Sequence, residues 1–581
     1  MNLKLYSAQH VADLLGVKLD TLYRYARSGQ VRGMKIGKSW KFSESDIEAF
    51  IQQHRGEAPV NRQPKALLLP DILSNAALMS EGKAGITFQG STFSYAEIHT
   101  WAVRLAENLL AQGVLPGERV VVLLANSIEF IVSCFAVWKA GAVLVAEDPA
   151  IKNESLSHIL QDARPGALIV ARSVAERLDA VASDLSSVNV IFVKDRTYSL
   201  SGLDEIRVES LDAVLVSESA DDRSNRFPYA NPDDVASLTY TSGTTGRPKG
   251  VMHTHESWLA GAAFTANYHN LTQRDSIVIP LPLHHGLAFR QILAYVLAGA
   301  PIILAADIYQ ALKLMRERHP TAVVLVPAGV NILIDNFVSV LQELAPTLRY
   351  IEIGSAPLAA DRFNHLRRLL PSTFIHLPYG LTEARVGFLK AGSDGMLNRI
   401  AKVATDLELQ LVDDQGLLVG PGQPGEILLK GRGLMKGYWG QAETDVANLK
   451  RYGFRTGDMG VIDEQGELAL IGRKDEMLKV GGHKVNPAEV ETIIRRHAGV
   501  AECAVVGMTD PNGVFETKLH AFVVPASRTE TLAEKELEAF CRQHLESFKV
   551  PSNFHFHQSL PKSPLGKVLR QALRTAVMNA A

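Results

Sequence analysis

The chain has 581 residues, 46% hydrophobic and 21% charged, with a formal net charge of −2. This excludes a disordered, collagen-like or disulfide-scaffold protein and leaves no whole-chain bias toward nucleic acid or anionic membrane. The cysteines, Cys134, Cys503 and Cys541, lie far apart with no CxxC pair, which points to reduced thiols and away from a zinc site. At roughly 150 residues per domain the length allows about four domains, fewer where large α/β folds occur. No signal-peptide run opens the chain. The apolar stretches Val120–Ala125 and Ile131–Val145 are interrupted by Glu129, Lys139 and glycines, short of the ~20 residues a membrane span needs. A soluble, cytoplasmic protein with no membrane partner is expected.

In chain order, residues 1–55 come first, and they are basic: nine Lys/Arg against five acids, or +4, leaving −6 for the rest. Ser7 suits an N-cap for a helix over Ser7–Leu15, which Gly16 breaks. Asp20–Arg27 reads as a second short helix with Arg24 and Arg27 exposed. Gly33–Phe42 reads as a basic hairpin, and Ser43 with Asp46 as a capping-box-like start to a helix over Glu44–Gln53. Two short helices around a glycine turn, with a basic hairpin, suit a groove-and-wing reader of DNA; the plainer alternative is a small solvated helical domain. The run YSAQHVADLLGVKLDTLYRYARSGQVRGMKIGKSWKFSESDIEAFI resembles the excisionase/MerR-like helix-turn-helix family. That resemblance implies a second helix entering the major groove, with Thr21, Arg24, Tyr25 and Arg27 as groove residues. It implies phosphate contacts from Lys35, Lys38 and Lys41. Duplex DNA is the implied partner, with a module reused for protein contacts as the alternative.

Gln52–Lys65 is polar, with two prolines and no apolar periodicity, and reads as a linker. Beyond it, short apolar runs alternate with helical patterns: Val120–Ala125, helical Glu129–Ala140, Ala142–Ala146, Ala167–Ala171, Val190–Val193 and Ser276–Pro280. This alternation predicts an α/β fold with buried, largely parallel strands. After about residue 470 the texture changes. A helix over Pro487–His497 and strands over Glu502–Gly507 and Leu519–Val524 predict a separate small α+β domain.

The segment carrying most chemistry is TYTSGTTGRPKG, Thr239–Gly250. Thr241, Ser242, Gly243, Thr244, Thr245 and Gly246 allow a tight turn that aims N–H and O–H donors at an anion, and Lys249 adds a positive charge. It is not a Walker A loop, because Pro248 precedes the lysine and Gly250 follows it. The plain alternative is a flexible surface turn. Four further segments follow in order: YGLTEA (Tyr379–Ala384), FRTGDMG (Phe454–Gly460), GRKDEMLKVGGHKVNPAEVE (Gly472–Glu491) and PKSPLGKVLR (Pro561–Arg570). Together the five segments resemble the signatures of the acyl-adenylate-forming superfamily, and the resemblance covers the chain from about residue 70 to the end.

The two resemblances together imply a large adenylate-forming core with a small mobile α+β C-terminal domain, preceded by a small winged helix-turn-helix module. The corresponding boundaries are 1–55 for the module, 56–66 for the linker, 67–472 for the core and 473–581 for the mobile domain. The adenylate-forming resemblance implies activation of a carboxylic acid by ATP and Mg²⁺ with loss of pyrophosphate, then transfer to CoA or a carrier protein's phosphopantetheine. Two anions must meet in the first step, so the site must neutralise charge and hold an in-line geometry. By the same resemblance Glu383 holds Mg²⁺ and Thr382 contacts the α-phosphate. Tyr379 stacks on adenine, with Gly380 beside it, opposite a wall of Gly354, Ser355, Ala356 and Pro357. Asp458 accepts the ribose hydroxyls, Arg473 adds a ribose contact, and Lys567 bridges carboxylate and phosphate. Leu565 stands where the family usually has a small hydroxyl residue.

Asp475 matches the hinge about which the C-terminal domain rotates, withdrawing Lys567 and bringing Gly481 and Gly482 to the thiol tunnel. An ordinary hairpin turn is the alternative for these two glycines. His285, in PLPLHHGLAF, matches the segment near the acyl and thiol tunnels; the alternative is a core histidine. The implied acyl pocket (Leu283–Phe289, Val326–Asn331, Gly354–Ala356, Gly380 and Leu381) is mostly apolar or small, favouring an aliphatic or aryl acid over an amino acid. No carrier-domain attachment site is seen. A regulator that senses an acid or acyl-adenylate and binds DNA is the competing reading; it need not retain Lys567, Glu383 and the phosphate loop, all of which are present here.

Overall fold

The computed structural model describes residues 67–80, 85–194, 206–217, 227–228, 230–241, 248–356, 358–392, 396–480, 483–509, 517–526, 532–562 and 568–580. In the N-terminal region it describes 5–8, 11, 22, 26, 34–36, 39–43 and 46. The chain divides into two compact units, residues 1–66 and 67–581.

In the first unit the expected hairpin forms from Met34–Ile36 and Ser39–Ser43, antiparallel, with Lys35 opposite Trp40 and Met34 opposite Lys41. Leu5–Ser7 adds a third strand on Ser39–Ser43, so Ser7 ends a strand and helical backbone follows at Ala8. The Ser43–Asp46 capping pair is present: the Asp46 amide donates to Ser43 Oγ at 3.2 Å and Ser43 Oγ to Asp46 Oδ2 at 2.5 Å. Val11, Leu22, Ala26 and Phe42 are buried. Thr21, Arg24, Tyr25, Arg27 and Lys38 lie outside the described residues.

The second unit is built on two large sheets. Among the described residues one has eight strands, with a parallel centre formed by Arg207–Ser210, Val190–Lys194, Ala167–Ala171, Arg119–Leu123, Val143–Ala146 and Val235–Thr241. These runs are apolar and β-branched because both faces are covered, as a parallel sheet requires. Among the described residues the second sheet has thirteen strands, and its middle is parallel, from Phe374–Gly380 across to Gly85–Phe88. From Arg385–Lys390 to Leu407–Val412 it continues as antiparallel strands, which the expectation of a largely parallel core did not contain.

Helices Tyr95–Ala111, Ile128–Lys139, His255–Tyr268 and Gly286–Ala298 contribute to one continuous buried core. Its aromatic centre is Phe289, with Trp258 at 5.1 Å, Trp138 at 5.8 Å and Phe130 at 6.4 Å between ring centroids. Trp138 Nε1 donates to the Ala236 carbonyl and Trp258 Nε1 to Ser237 Oγ, both at 2.8 Å, which pins this core beneath the strand that leads into the hydroxyl-rich loop. The last part of the chain has its own core, with helix Pro487–Ile494 and strands Val500–Thr509, Thr517–Pro525 and Asn553–Phe556. No helix among the described residues is long and apolar enough to cross a membrane.

Candidate active site

The hydroxyl-rich loop, the Gly481–Gly482 turn and the loop carrying Lys567 are each bracketed by an antiparallel pair. Thr241 pairs with Lys249, Val480 with His483, and Lys562 with Val568. Ser242, Gly243, Thr244, Thr245, Gly246, Gly481, Gly482 and Lys567 lie between these pairs and outside the described residues. Lys249 is exposed, with Nζ 5.7 Å from the centroid of the Tyr438 ring.

The YGLTEA segment is a hairpin corner. Strand Phe374–Gly380 ends at Gly380, and the chain reverses through mutual Leu381–Ala384 backbone bonds into Arg385–Lys390. A Cβ on Gly380 would stand 2.8 Å from the Ala384 carbonyl, so the tight return requires glycine. The corner is held from behind by His253, whose Nε2 lies 2.8 Å from the Thr382 carbonyl. Burial, then the charge of Arg290, pushes the His253 pKa down to about 3, so the imidazole is neutral and its Nε2–H donates. Glu383 Oε1 accepts the Tyr438 hydroxyl at 2.8 Å. Burial, then Glu383, raises the Tyr438 pKa, which keeps the phenol protonated as the donor.

The next constellation joins three of the expected residues. Tyr379, almost buried, donates its hydroxyl to Asp458 Oδ2 at 2.7 Å. Arg473 Nη1 donates to Asp458 Oδ1 at 3.1 Å and to the Thr456 carbonyl at 2.8 Å, and Arg473 Nε donates to Asp475 Oδ1 at 3.1 Å. Asp458 and Arg473 face each other across adjacent antiparallel strands, which fixes their approach by register. Burial works against the Arg473 charge, but Asp458 and Asp475 outweigh it and raise its pKa. Burial, then Asp458, raises the Tyr379 pKa. The Tyr379 hydroxyl is thus bound to the same carboxylate expected to meet a ribose, an arrangement the sequence did not disclose.

Ser355 is exposed and has φ 72°, a left-handed conformation costly for a non-glycine residue. Ala356 follows it, and Pro357 lies outside the described residues. A Cβ on Gly354 would stand 2.8 Å from Pro378 Cγ, so this wall packs directly on the strand that carries Tyr379. His285 is the N-cap residue of helix Gly286–Ala298, and its ring lies 4.2 Å from that of His284. Burial lowers the pKa of both, that of His284 to about 4, so both are neutral near pH 7. His284, Gly286, Phe289, Trp258 and Thr239 border a narrow cavity of about 20 Å³.

Sequence reasoning missed Tyr438, His253 and the pair formed by Lys474 Nζ and Glu426 Oε2 at 3.0 Å. None has a local pattern; each is placed by register or by a chain crossing. Asn486 was also missed. It caps helix Pro487–Ile494 through the Ala488 amide and donates Nδ2 to the Ile471 carbonyl, joining the last part of the chain to the core beside Arg473–Asp475. Asp475 itself is half-exposed in the turn after strand Leu468–Arg473. Among the described residues no three His, Cys, Asp or Glu side chains converge as a metal cage. Glu383 suits a cation that takes one carboxylate and completes its shell with phosphate oxygens and water, which is the habit of magnesium.

Two helix-flanked sheets, a hydroxyl- and glycine-rich loop on one sheet hairpin and a small α+β domain joined through Arg473–Asp475 define an adenylate-forming architecture. The chain belongs to the AMP-binding enzyme family: that family's model matches residues 73–439, and the model of its C-terminal domain matches residues 489–567. Residues 5–55 match a helix-turn-helix domain model. The long-chain-fatty-acid–CoA ligase FadD13 of Mycobacterium tuberculosis is 31% identical over 83% of this chain and 92% of its own length. The 4-coumarate–CoA ligase 3 of Arabidopsis thaliana is 30% identical over 84% of this chain and 86% of its own. Among solved structures, ATP-bound MatB from Rhodopseudomonas palustris matches with a TM-score of 0.76 at 27% identity, covering 87% of this chain and 99% of that one.

Proposed function

We propose that this protein couples a carboxylic acid to a thiol through an acyl-adenylate. A carboxylate oxygen attacks the α-phosphorus of ATP and pyrophosphate leaves. A thiol, from CoA or a carrier protein's phosphopantetheine, then attacks the acyl carbon and AMP leaves. The observation that carries this reading is the joining of Tyr379, Asp458 and Arg473 in one hydrogen-bonded set, with Glu383 on the hairpin corner that follows Tyr379. The named relatives, two of them CoA ligases, support the same reaction class.

The roles follow from the chemistry each group offers. Asp458 presents a carboxylate held by Arg473, suited to accept ribose O–H donors. Tyr379 and the Gly354–Pro357 wall bound the adenine. Thr241, Ser242, Gly243, Thr244, Thr245, Gly246 and Lys249 take the β- and γ-phosphates. Thr382 meets the α-phosphate, its carbonyl fixed by His253. Magnesium, held by Glu383, would neutralise phosphate charge. Lys567 supplies the positive charge between carboxylate and phosphate, and preorganised charge of this kind is commonly the largest single contribution to such a rate. We assign residues 67–472 to the adenylating core and 473–581 to a domain that turns about Asp475. After that turn Gly481 and Gly482 line the thiol path, with His285 near the acyl carbon. Residues 1–55, joined by the 56–66 linker, form a separate module that binds duplex DNA through Thr21, Arg24, Tyr25, Arg27, Lys35, Lys38 and Lys41. The protein acts in the cytoplasm.

The test is acid-dependent pyrophosphate release, screened over aliphatic and aryl acids with Mg²⁺ and ATP. Release that depends on both acid and ATP supports the reading. Bound ATP with no release across the panel would favour a sensor that has kept the fold without the reaction.

A further inference from the structure

We infer that Arg290 is an anion anchor behind the acyl pocket, and that the acid this protein activates carries a second carboxylate. The inference rests on the ligase reading above and adds a substrate class to it.

Arg290 lies on helix Gly286–Ala298, one turn beyond Gly286, and is 9% exposed. Its guanidinium carbon is 5.4 Å from the centroid of the Trp258 ring. A Cβ on Gly286 would stand 3.7 Å from Arg290 Nη1, and one on Gly261 3.9 Å from Arg290 Nε. The guanidinium therefore packs close to the backbone at both glycines, where a Cβ would make only ordinary contact. It sits directly behind Trp258 and Gly286, which border the narrow cavity beside His284 and Phe289. This is the segment assigned to the acyl pocket, which from sequence alone read as apolar.

Buried charge is expensive unless it is paired. The nearby buried carboxylate, Glu352, is already engaged on both oxygens. Oε1 accepts from Arg385 Nη1 and Nη2 at 3.3 Å, and Oε2 lies 2.9 Å from His269 Nε2. Among the described residues Arg290 makes no hydrogen bond or ion pair. Burial, then the like charge of Arg385, presses its pKa down, with Glu352 opposing. His253 and His376, held near 3 and 4, add no negative charge and no acid partner. The region therefore holds two guanidinium groups against one carboxylate, and the unmatched one lies behind Gly286 and Trp258, which border the pocket. A planar five-donor cation in that position is matched by a carboxylate, which it can grip through two parallel N–H···O bonds. An acid with a single carboxylate would present that group to the α-phosphate and leave Arg290 unmatched.

The experiment measures pyrophosphate release by the full chain with straight-chain and aromatic dicarboxylic acids, each against its own monomethyl ester, and with simple fatty and aryl monoacids. The ester keeps the shape and removes one charge. The wild-type protein is expected to favour at least one diacid over its ester by about 10- to 100-fold in kcat/KM, the range for a hydrogen bond to a charged group. Arg290→Met is expected to invert that ratio, and Arg290→Lys to restore part of it. As a binding readout, the preferred diacid should raise the wild-type melting temperature and leave that of Arg290→Met in place. Arg290→Met should melt no lower than wild type without ligand, because it removes an unpaired buried charge. Release with monoacids or esters at equal or higher efficiency than with every diacid overturns the anchor while leaving the ligase reading intact. An unchanged diacid-to-ester ratio in Arg290→Met overturns it as well. No release with any acid of the panel overturns the ligase reading and the anchor with it.

Discussion

Asp458→Asn exchanges a carboxylate for an amide of the same shape at the point where Tyr379 and Arg473 meet. In the present geometry Oδ2 accepts the Tyr379 hydroxyl at 2.7 Å and Oδ1 accepts Arg473 at 3.1 Å. If ribose hydroxyls bind this carboxylate, each bond is charge-assisted and contributes about 1.5–3 kcal/mol. An amide has one acceptor oxygen, so at least one such bond is lost, and kcat/KM for ATP should fall by about 10- to 100-fold. The fold should survive, because Arg473 is about one-third exposed and keeps the Thr456 carbonyl and Asp475 as partners. A steady-state assay comparing ATP with 2′-deoxy-ATP isolates the contact. The wild-type protein should prefer ATP by about 10-fold or more, the value of one hydroxyl donor to a charged acceptor. In Asp458→Asn that preference should shrink toward unity. A folded variant that keeps both the wild-type KM for ATP and the wild-type discrimination would refute the assignment of Asp458 to the ribose.

Lys567→Ala should slow adenylation by about 10²–10³ while leaving thioester formation from pre-made acyl-adenylate nearly unchanged; equal loss in both half-reactions would contradict a domain that alternates. Asp475→Pro should do the reverse in the same two assays, because proline fixes φ and restrains the turn. Burial raises the Glu352 pKa, but Arg385 and then His269 outweigh it and hold it at about 2 against a usual 4.5. A depressed carboxyl contributes stability that is complete above about pH 4.5 and is lost as pH falls toward 2. Glu352→Gln should cost about 3–5 kcal/mol near pH 7 by leaving Arg385 buried without its partner, and should flatten the acid limb of melting temperature against pH; wild-type acid sensitivity in the variant would contradict this. The full chain should bind random duplex DNA with affinity falling as salt rises, at a log–log slope of roughly −0.9 per neutralised phosphate. A chain lacking residues 1–66 should lose that binding and keep acid activation; DNA binding retained by the truncated chain would place the contact elsewhere.

How far the sequence can be read follows from whether the determining contacts are local. The apolar runs at Val120–Ala125, Ala167–Ala171 and Val190–Val193 mark strands because a doubly covered sheet needs apolar residues on both faces; the second forms with the same ends and the other two with ends shifted by a residue or two. The Ser43–Asp46 cap was legible because its two partners are three residues apart. The antiparallel extension from Arg385 to Arg473 was not, since its alternation is mixed: Ile427 and Leu429 are buried while Leu428 is half-buried. Local geometry was legible where partners are close in sequence, as in the Thr241–Lys249 strand pair or the Leu381–Ala384 turn. The site was illegible where partners meet across long separations. Tyr438 reaches Glu383, His253 reaches Thr382, and Arg385 with His269 closes on Glu352, all through sheet register or helix packing. Arg290 carries no local pattern that marks it in the sequence; its burial against Trp258 makes it chemically unusual.

The central claim is that the acid's own oxygen attacks the α-phosphorus. It is tested by supplying a turned-over acid with both carboxylate oxygens labelled as ¹⁸O, together with ATP, Mg²⁺ and CoA, and weighing the products by mass spectrometry. Attack by the carboxylate leaves one labelled oxygen on AMP and the other in the thioester carbonyl, with unlabelled pyrophosphate. Unlabelled AMP, or ADP and orthophosphate in place of AMP and pyrophosphate, would contradict the account.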